Sequence, residues 1–156
     1  MKTTQGLMLL TIGALIGILS TLLSTSVQYP LGTGAIERTS PSDHITEDQI
    51  KVYSDKVVIS LENAKWASFA DTNSMDPVFD KNNNAIQIVP NDPDQISVGD
   101  IISYRKNDKT IIHRVIEKGI DGEGWYFIVK GDNNKEADPG KVRFEDITRL
   151  TVAVIY

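Results

Sequence analysis

The chain contains no cysteine, and this absence removes several classes of chemistry at once. Without thiols there is no disulfide bond, no thiolate metal site and no cysteine nucleophile. Basic clusters are missing as well, since the formal net charge is −5 and the sequence pI is about 5.0. A nucleic-acid partner requires a basic face that meets the phosphate backbone. The composition therefore predicts no nucleic-acid partner.

Charged side chains are absent from residues 3–36, and a mostly apolar run, Leu7–Leu23, lies inside this stretch. A helix that crosses a bilayer needs about 20 mostly apolar residues, a length that this run reaches with its uncharged neighbours. We predict a single transmembrane anchor at residues 1–27, with Lys2 on the inner side of the membrane. The alternative is a cleaved secretory signal, with Lys2 as its positive region and Ser24-Thr25-Ser26 as a cleavage site. Under either prediction, the rest of the chain is exported.

Residues 28–55 are predicted as a linker followed by a short helix. Glycine and proline punctuate the first part without any periodicity. Thr46 and Gln49 then have the spacing of a capping box, in which each side chain bonds the other residue's backbone. Ile50 and Tyr53 follow at helical spacing, so we expect a short helix over Glu47–Ser54.

Residues 56–156 are predicted as a β domain, because short β-branched and aromatic runs alternate with polar turns. The predicted strands are Val57–Leu61, Trp66–Ala70, Ile86–Val89, Ile101–Arg105, Thr110–Glu117, Trp125–Lys130 and Leu150–Tyr156. Many short strands of this kind are typical of an all-β or mostly-β sandwich or barrel. The last run is too short to span a bilayer, so the sequence predicts one anchor only.

Ser74 is a candidate nucleophile, since it lies in a polar turn that Pro77 closes. A nucleophilic serine needs a tight, exposed turn that lets its hydroxyl reach a carbonyl carbon. Met75, beside it, is an apolar side chain suited to a substrate or to lipid. The alternative is an ordinary loop serine before an Asp-Pro turn, which the heptapeptide alone does not exclude.

His113 is a candidate general base, and it is one of only two histidines. In an alternating strand it shares a face with Ile111 and Val115, so a polar ring lies on an apolar face. The alternative is a buried histidine that serves only as a hydrogen-bonding group of the core. The other histidine, His44, lies in the polar linker, and we assign it no role.

Asp132 and Asp138 are the candidate acids, in a loop rich in glycine and asparagine that directly follows a predicted strand. Either carboxylate could orient an imidazole. The alternatives are an Asx turn and a calcium-like loop. A cation site is disfavoured, because the acidic spacing does not match the twelve-residue calcium loop.

Four motifs occur in a fixed order along the chain: Ser-Met-Asp-Pro at 74–77, Gly-Asp-Ile at 99–101, His-Arg-Val-Ile at 113–116, and Gly-Asp-Asn-Asn at 131–134 with a later aspartate. In this order they resemble the signal peptidase I family, archaeal or endoplasmic-reticulum type. The resemblance covers residues 66–156 together with the N-terminal anchor. Ordinary bacterial signal peptidases carry a lysine where this chain has His113, so the match is to the Ser-His-Asp branch.

The resemblance implies a role for each matching residue. Ser74 matches the nucleophile, His113 the general base, Asp138 the triad carboxylate and Asp132 a supporting acid. Thr72 stands where the family has serine, and with the Ser74 backbone N–H its hydroxyl would complete an oxyanion hole. The implied fold is a signal-peptidase-like β catalytic core with one N-terminal transmembrane helix and a short extra helix.

The implied protein is a single-pass membrane serine endopeptidase with its catalytic domain on the external side of the cell membrane or an endoplasmic-reticulum-type membrane. Its implied partners are preprotein signal peptides, membrane lipid and the secretion machinery, and it needs no metal or other cofactor. Two departures from the family stand out. Asn73 replaces a glycine, although asparagine tolerates a left-handed turn, and a longer segment than usual separates the anchor from Ser74.

The sequence raises three alternatives. The first is a dedicated processing peptidase for another exported protein. The second is a non-catalytic, membrane-tethered β module whose polar residues are structural. The third, a self-cleaving repressor-like protein, requires a Ser-Lys dyad and a DNA-binding head, and the sequence contains neither.

Overall fold

A computed structural model describes residues 38–156, in which antiparallel β strands are the main regular structure. The strands are β1 (Ile50–Val52), β2 (Val57–Ile59), β3 (Lys65–Ser68), β4 (Asn84–Ile88), β5 (Ile101–Lys106), β6 (Lys109–Asp121), β7 (Gly124–Lys130), β8 (Val142–Arg143) and β9 (Ile147–Ile155). Strands β1 and β2 form a two-stranded sheet, and the others form a seven-stranded sheet in the order β3-β4-β9-β5-β6-β7-β8. The prediction of a mostly-β domain is confirmed.

The predicted anchor at residues 1–27 and the first part of the predicted linker lie outside the described residues. Among residues 38–156, no helix is both long and apolar enough to cross a membrane.

The predicted helix over Glu47–Ser54 is wrong beyond its first turn. The Gln49 half of the capping box forms, since the Thr46 backbone N–H donates to Oε1 of Gln49 at 2.9 Å. It starts only a 3-10 turn, Glu47–Gln49. Ile50 then adopts φ −105° and ψ 121°, and β1 pairs with β2 from Ile50↔Ile59 to Val52↔Val57. Pairing between β-branched residues outweighs the weak helical pattern here.

The buried apolar side chains form two clusters. The larger one draws on β5, β6, β7 and β9, and its fully buried members include Ile102, Val115, Phe127 and Leu150. The smaller one consists of Met75, Phe79 and Ile101, with partly buried neighbours. Because Met75 directly follows Ser74, the smaller cluster anchors the turn that carries the candidate nucleophile.

The end of the predicted linker packs against the β domain. Asp100, which is fully buried, accepts the Ser42 backbone N–H at 2.7 Å and lies 3.0 Å from Nε2 of His44. At Gly99, whose φ is +104°, an added Cβ would come within 2.2 Å of the Ser40 carbonyl oxygen. Only glycine allows the two backbones to approach this closely. His44, to which the sequence assigned no role, therefore helps to hold this segment in place.

Candidate active site

Ser74 lies on a tight turn between β3 and β4. Asn73 adopts φ 55°, the left-handed conformation that asparagine tolerates. One carboxylate oxygen of Asp80 accepts the backbone N–H groups of Thr72 at 3.3 Å and Asn73 at 3.4 Å. The turn is thus closed by a side chain that follows it, and the Ser74 side chain is only partly buried.

Two buried side chains fix this turn to the domain. Met75 is 2% exposed and Phe79 is 3% exposed. The ring of Phe69 stacks on that of Phe79 with their centroids 4.1 Å apart. Offset stacking of this kind adds to the stabilisation from apolar burial. The Ser74 turn is therefore held by buried and partly buried apolar side chains, two of them aromatic.

His113 and Asp138 form a direct pair. Nδ1 of His113 lies 2.6 Å from Oδ2 of Asp138, and the Tyr104 hydroxyl donates to the same oxygen. The Asp138 backbone N–H donates to the carbonyl oxygen of Val129 in β7 at 2.9 Å, which holds the loop beside β6. A carboxylate only accepts, so the imidazole donates through Nδ1 and keeps Nε2 for another partner.

Ser74 and His113 line the same cleft, which has a volume of about 620 Å³. The Ser74 hydroxyl hydrogen bonds to Oγ1 of Thr72 at 3.1 Å, and within residues 38–156 no hydrogen bond joins it to His113. Serine–histidine contacts are often long before a substrate binds. The structure brings both candidate residues to one cleft, with the nucleophile turned towards its threonine neighbour.

Thr72 and Ser74 also present two hydrogen-bond donors side by side. The Ser74 backbone N–H points to Oγ1 of Thr72 at 3.4 Å, and Thr72 lines the cleft. A long bond of this kind is weak and easily exchanged for a better acceptor. An oxyanion that forms next to Ser74 would lie within reach of both groups.

Asp132 does not contact His113. Its two carboxylate oxygens accept from Nε and NH2 of Arg114 at 2.8 and 2.7 Å, in a side-by-side pair that is nearly fully buried. NH2 of Arg38 donates to the Asp132 carbonyl oxygen at 2.6 Å. Of the two candidate acids, Asp138 is therefore the one on the imidazole, and Asp132 binds the neighbouring arginine.

The loop that carries Asp132 nevertheless supports the candidate nucleophile. The Asn133 backbone N–H donates to the Ser74 carbonyl oxygen at 2.9 Å, and its side-chain amide donates to the Asn73 carbonyl oxygen at 3.0 Å. A Cβ added to Gly131 would come within 2.7 Å of the Ser74 carbonyl oxygen, so glycine permits this approach. The Asp132–Arg114 pair thus holds a loop that in turn holds Ser74.

One edge of β6 is unpaired next to His113. Residues 109–114 pair with β5, whereas the pairing with β7 begins only at Arg114↔Lys130. Within the described residues, 109–113 therefore have a strand on one side only. Unpaired backbone N–H and C=O groups along such an edge can bind an extended peptide as an additional strand.

Sequence reasoning missed four residues of this site: Tyr104, Arg114, Asn133 and Arg38. The position of Arg114 next to His113 could have predicted its direction, because neighbouring residues of a strand point to opposite faces. Arg114 therefore had to face away from His113, in the region where Asp132 lies. Among residues 38–156, no cluster of three histidine, aspartate or glutamate side chains could hold a metal ion.

Comparisons with models of protein families, with curated proteins and with solved structures give no match.

Proposed function

We propose that this protein is a membrane-bound serine endopeptidase of the signal peptidase class, which removes signal peptides from exported preproteins. One observation carries the proposal: Nδ1 of His113 lies 2.6 Å from Oδ2 of Asp138, and His113 lines the same cleft as Ser74. A structural histidine of the core does not require an aspartate partner beside a serine-bearing cleft. A histidine that acts as the general base for a serine requires both the aspartate partner and the nearby serine.

The proposed reaction begins when Oγ of Ser74 attacks the carbonyl carbon of the scissile peptide bond. Nε2 of His113 takes the hydroxyl proton, and Asp138 holds the other ring nitrogen and stabilises the imidazolium. The Thr72 hydroxyl and the Ser74 backbone N–H stabilise the oxyanion; losing one such donor costs about 2.7–4 kcal/mol. The C–N bond then breaks, and the imidazolium returns its proton to the leaving amine. Water, deprotonated by His113, hydrolyses the acyl-enzyme.

In this proposal the unpaired edge of β6 holds the substrate. A signal peptide near its cleavage site would bind as an extended strand along residues 109–113, through backbone hydrogen bonds that do not depend on its sequence. His113 ends this edge, so the scissile bond would lie beside the base.

The test is cleavage of a preprotein by the full-length chain in detergent or lipid. Ser74→Ala should abolish cleavage with the melting temperature unchanged, since it deletes one oxygen on a partly exposed turn. Ser68→Ala is the matched control, because it removes a hydroxyl from another side chain of the same cleft. Cleavage by Ser74→Ala at the wild-type rate would overturn the proposal. N-terminal mass spectrometry of exported proteins, after depletion of this chain, identifies its substrates.

The membrane location is tested separately. The apolar run at Leu7–Leu23 supports an anchor at residues 1–27, which should keep the chain in the membrane fraction after an alkaline wash. The β domain should then be accessible to added protease from the external side. A soluble mature form that begins near Ser26 would show that the segment is a cleaved signal.

A further inference from the structure

Arg149 in β9 is a partly buried cation that lines the active-site cleft. None of the ion pairs in the described part of the chain includes it. A guanidinium group that has lost part of its hydration without gaining a carboxylate favours an anionic ligand. This arginine takes no part in the proposed reaction.

The strand register places Arg149 on the same face of the sheet as Ile112, the residue before the candidate base. Ser103 of β5 pairs with Arg149 on one side and with Ile112 of β6 on the other, so the three residues form a row across neighbouring strands. All three line the cleft. Because strands lie about 4.8 Å apart, the Arg149 Cα is about 10 Å from that of Ile112, which precedes His113.

Ser103 provides a second donor beside Arg149. The Gln87 side-chain amide donates to Oγ of Ser103 at 2.9 Å and to Oγ1 of Thr151 at 3.0 Å. The Ser103 hydroxyl therefore serves as an acceptor towards Gln87, and its own hydrogen is left for another group. Within residues 38–156 no side-chain or backbone acceptor takes that hydrogen. Gln87 is itself 2% exposed, so this arrangement is built into the sheet.

Other charges along the cleft do not neutralise Arg149. The cleft is lined by one carboxylate, that of Asp80, and one oxygen of it accepts backbone N–H groups at the nucleophile turn. Lys109 and His113 are the remaining titratable side chains of the lining. The lining of the cleft therefore includes an arginine without a carboxylate partner and apolar side chains such as Met75 and Phe79.

We propose that Arg149 and Ser103 form a subsite that binds a carboxylate side chain of the substrate, so that the peptidase selects peptides with aspartate or glutamate near the cleaved bond. This inference rests on the proposed function and names its substrate class. A guanidinium group and a hydroxyl can hold the two oxygens of one carboxylate, whereas a neutral amide in its place would leave the cation unpaired. Such a preference would select, among exported preproteins, those with an acidic residue near the cleavage site.

The test uses alanine-based fluorogenic peptides in which a single position is either glutamate or glutamine. At one position the wild-type chain should cleave the glutamate peptide with a kcat/KM about tenfold higher than that of the glutamine peptide. This is the size of effect expected from one hydrogen bond to a charged group. Arg149→Gln should remove that preference, and Arg149→Glu should favour lysine at the same position. Lys109→Gln is the matched control: it removes a cation from an exposed position of the same cleft and should keep the preference.

Arg149→Lys distinguishes loss of the charge from misfolding, because it retains the charge and should keep part of the preference. A wild-type ratio within twofold of unity at every position, or a ratio that Arg149→Gln leaves unchanged, would overturn the subsite. Binding of the same peptides to Ser74→Ala, measured by fluorescence anisotropy, separates the two proposals. If glutamate peptides bind tighter through Arg149 but none is cleaved by the wild-type chain, the subsite stands and the protease proposal fails.

Discussion

Tyr104 and His113 bind the same carboxylate oxygen, Oδ2 of Asp138. They reach it from neighbouring strands: Ile102 pairs with His113, so Tyr104 lies two residues along β5 on the same face of the sheet. Burial, followed by the hydrogen bond to Asp138, raises the pKa of Tyr104 well above its usual value. The phenol therefore remains a donor throughout the neutral range and fixes the carboxylate that faces the imidazole.

The first prediction concerns Tyr104→Phe, which removes one of these two donors and keeps the ring in the core. We expect kcat to fall about tenfold with KM little changed, because the Asp138 carboxylate loses one of its two constraints. Tyr126→Phe is the matched control, since the Tyr126 hydroxyl donates to the exposed Glu117 instead. Equal turnover of the two variants would show that Tyr104 only packs.

The second prediction concerns the Thr72 hydroxyl. Thr72→Val keeps the shape of the side chain and removes the donor, so kcat should fall by about 10²–10³, as for other oxyanion-hole donors. Thr72→Ser should retain most of the activity, because it keeps the oxygen. Thr110→Val removes a hydroxyl from another residue of the cleft and serves as the control. A fully active Thr72→Val variant would leave the oxyanion to backbone donors alone.

Sequence patterns predicted the strands around the site well, because β5, β6 and β7 are rich in β-branched and aromatic residues and are separated by polar turns. They failed at Glu47–Ser54, where a capping box and two apolar residues at helical spacing indicated a helix. The outcome there depends on pairing between β1 and β2, which adds long-range contacts that a local pattern does not contain.

The candidate site shows the same division between local and long-range information. Ser74, His113 and Asp138 each stood out through their local motifs. Tyr104 did not, since it lies inside an apolar strand and its partner is 34 residues away. Arg149 was missed because the last strand was predicted to begin at Leu150, whereas β9 begins at Ile147. Its place in the cleft depends on pairing with β5, which no local pattern predicts.

The third prediction concerns acid stability. Hydrogen bonds from Arg143 and then Lys141 hold the pKa of Asp121 well below its usual range, and they tie β8 to the β6–β7 hairpin. A lowered folded-state pKa contributes stability above the unfolded value, and this contribution is lost as the pH falls through the folded one. Asp121→Asn should therefore be less stable than wild type at about pH 6, with the difference shrinking below about pH 4.

The measurement for Asp121→Asn is the melting temperature of the full-length chain across this pH range. Asp94→Asn is the control, because the exposed Asp94 carboxylate forms a long ion pair with Lys118, at 3.3 Å. Exposed pairs contribute little, so its melting curve should follow that of wild type at every pH. A constant difference between Asp121→Asn and wild type from neutral to acid pH would contradict the electrostatic explanation.

The fourth prediction separates the two candidate acids by their contacts. Asp138→Asn keeps a side chain that can still meet Tyr104 and His113, but its amide no longer holds the imidazole in the required tautomer. We expect kcat to fall by about 10⁴ with the melting temperature little changed. Asp132→Asn instead leaves the buried Arg114 without its counter-charge. Breaking a buried pair in this way costs about 3–5 kcal/mol in the free energy of unfolding.

Turnover and melting temperature, measured side by side for both variants, decide between these roles. Asp132→Asn should melt at a lower temperature and keep more turnover per folded molecule than Asp138→Asn, because its effect on Ser74 passes through the Asn133 loop. Its remaining loss should appear mainly in kcat, since Asn133 of this loop hydrogen bonds to the backbone of Asn73 and Ser74. If Asp132→Asn is inactive but as stable as wild type, while Asp138→Asn stays active, the assignment of the triad acid is reversed.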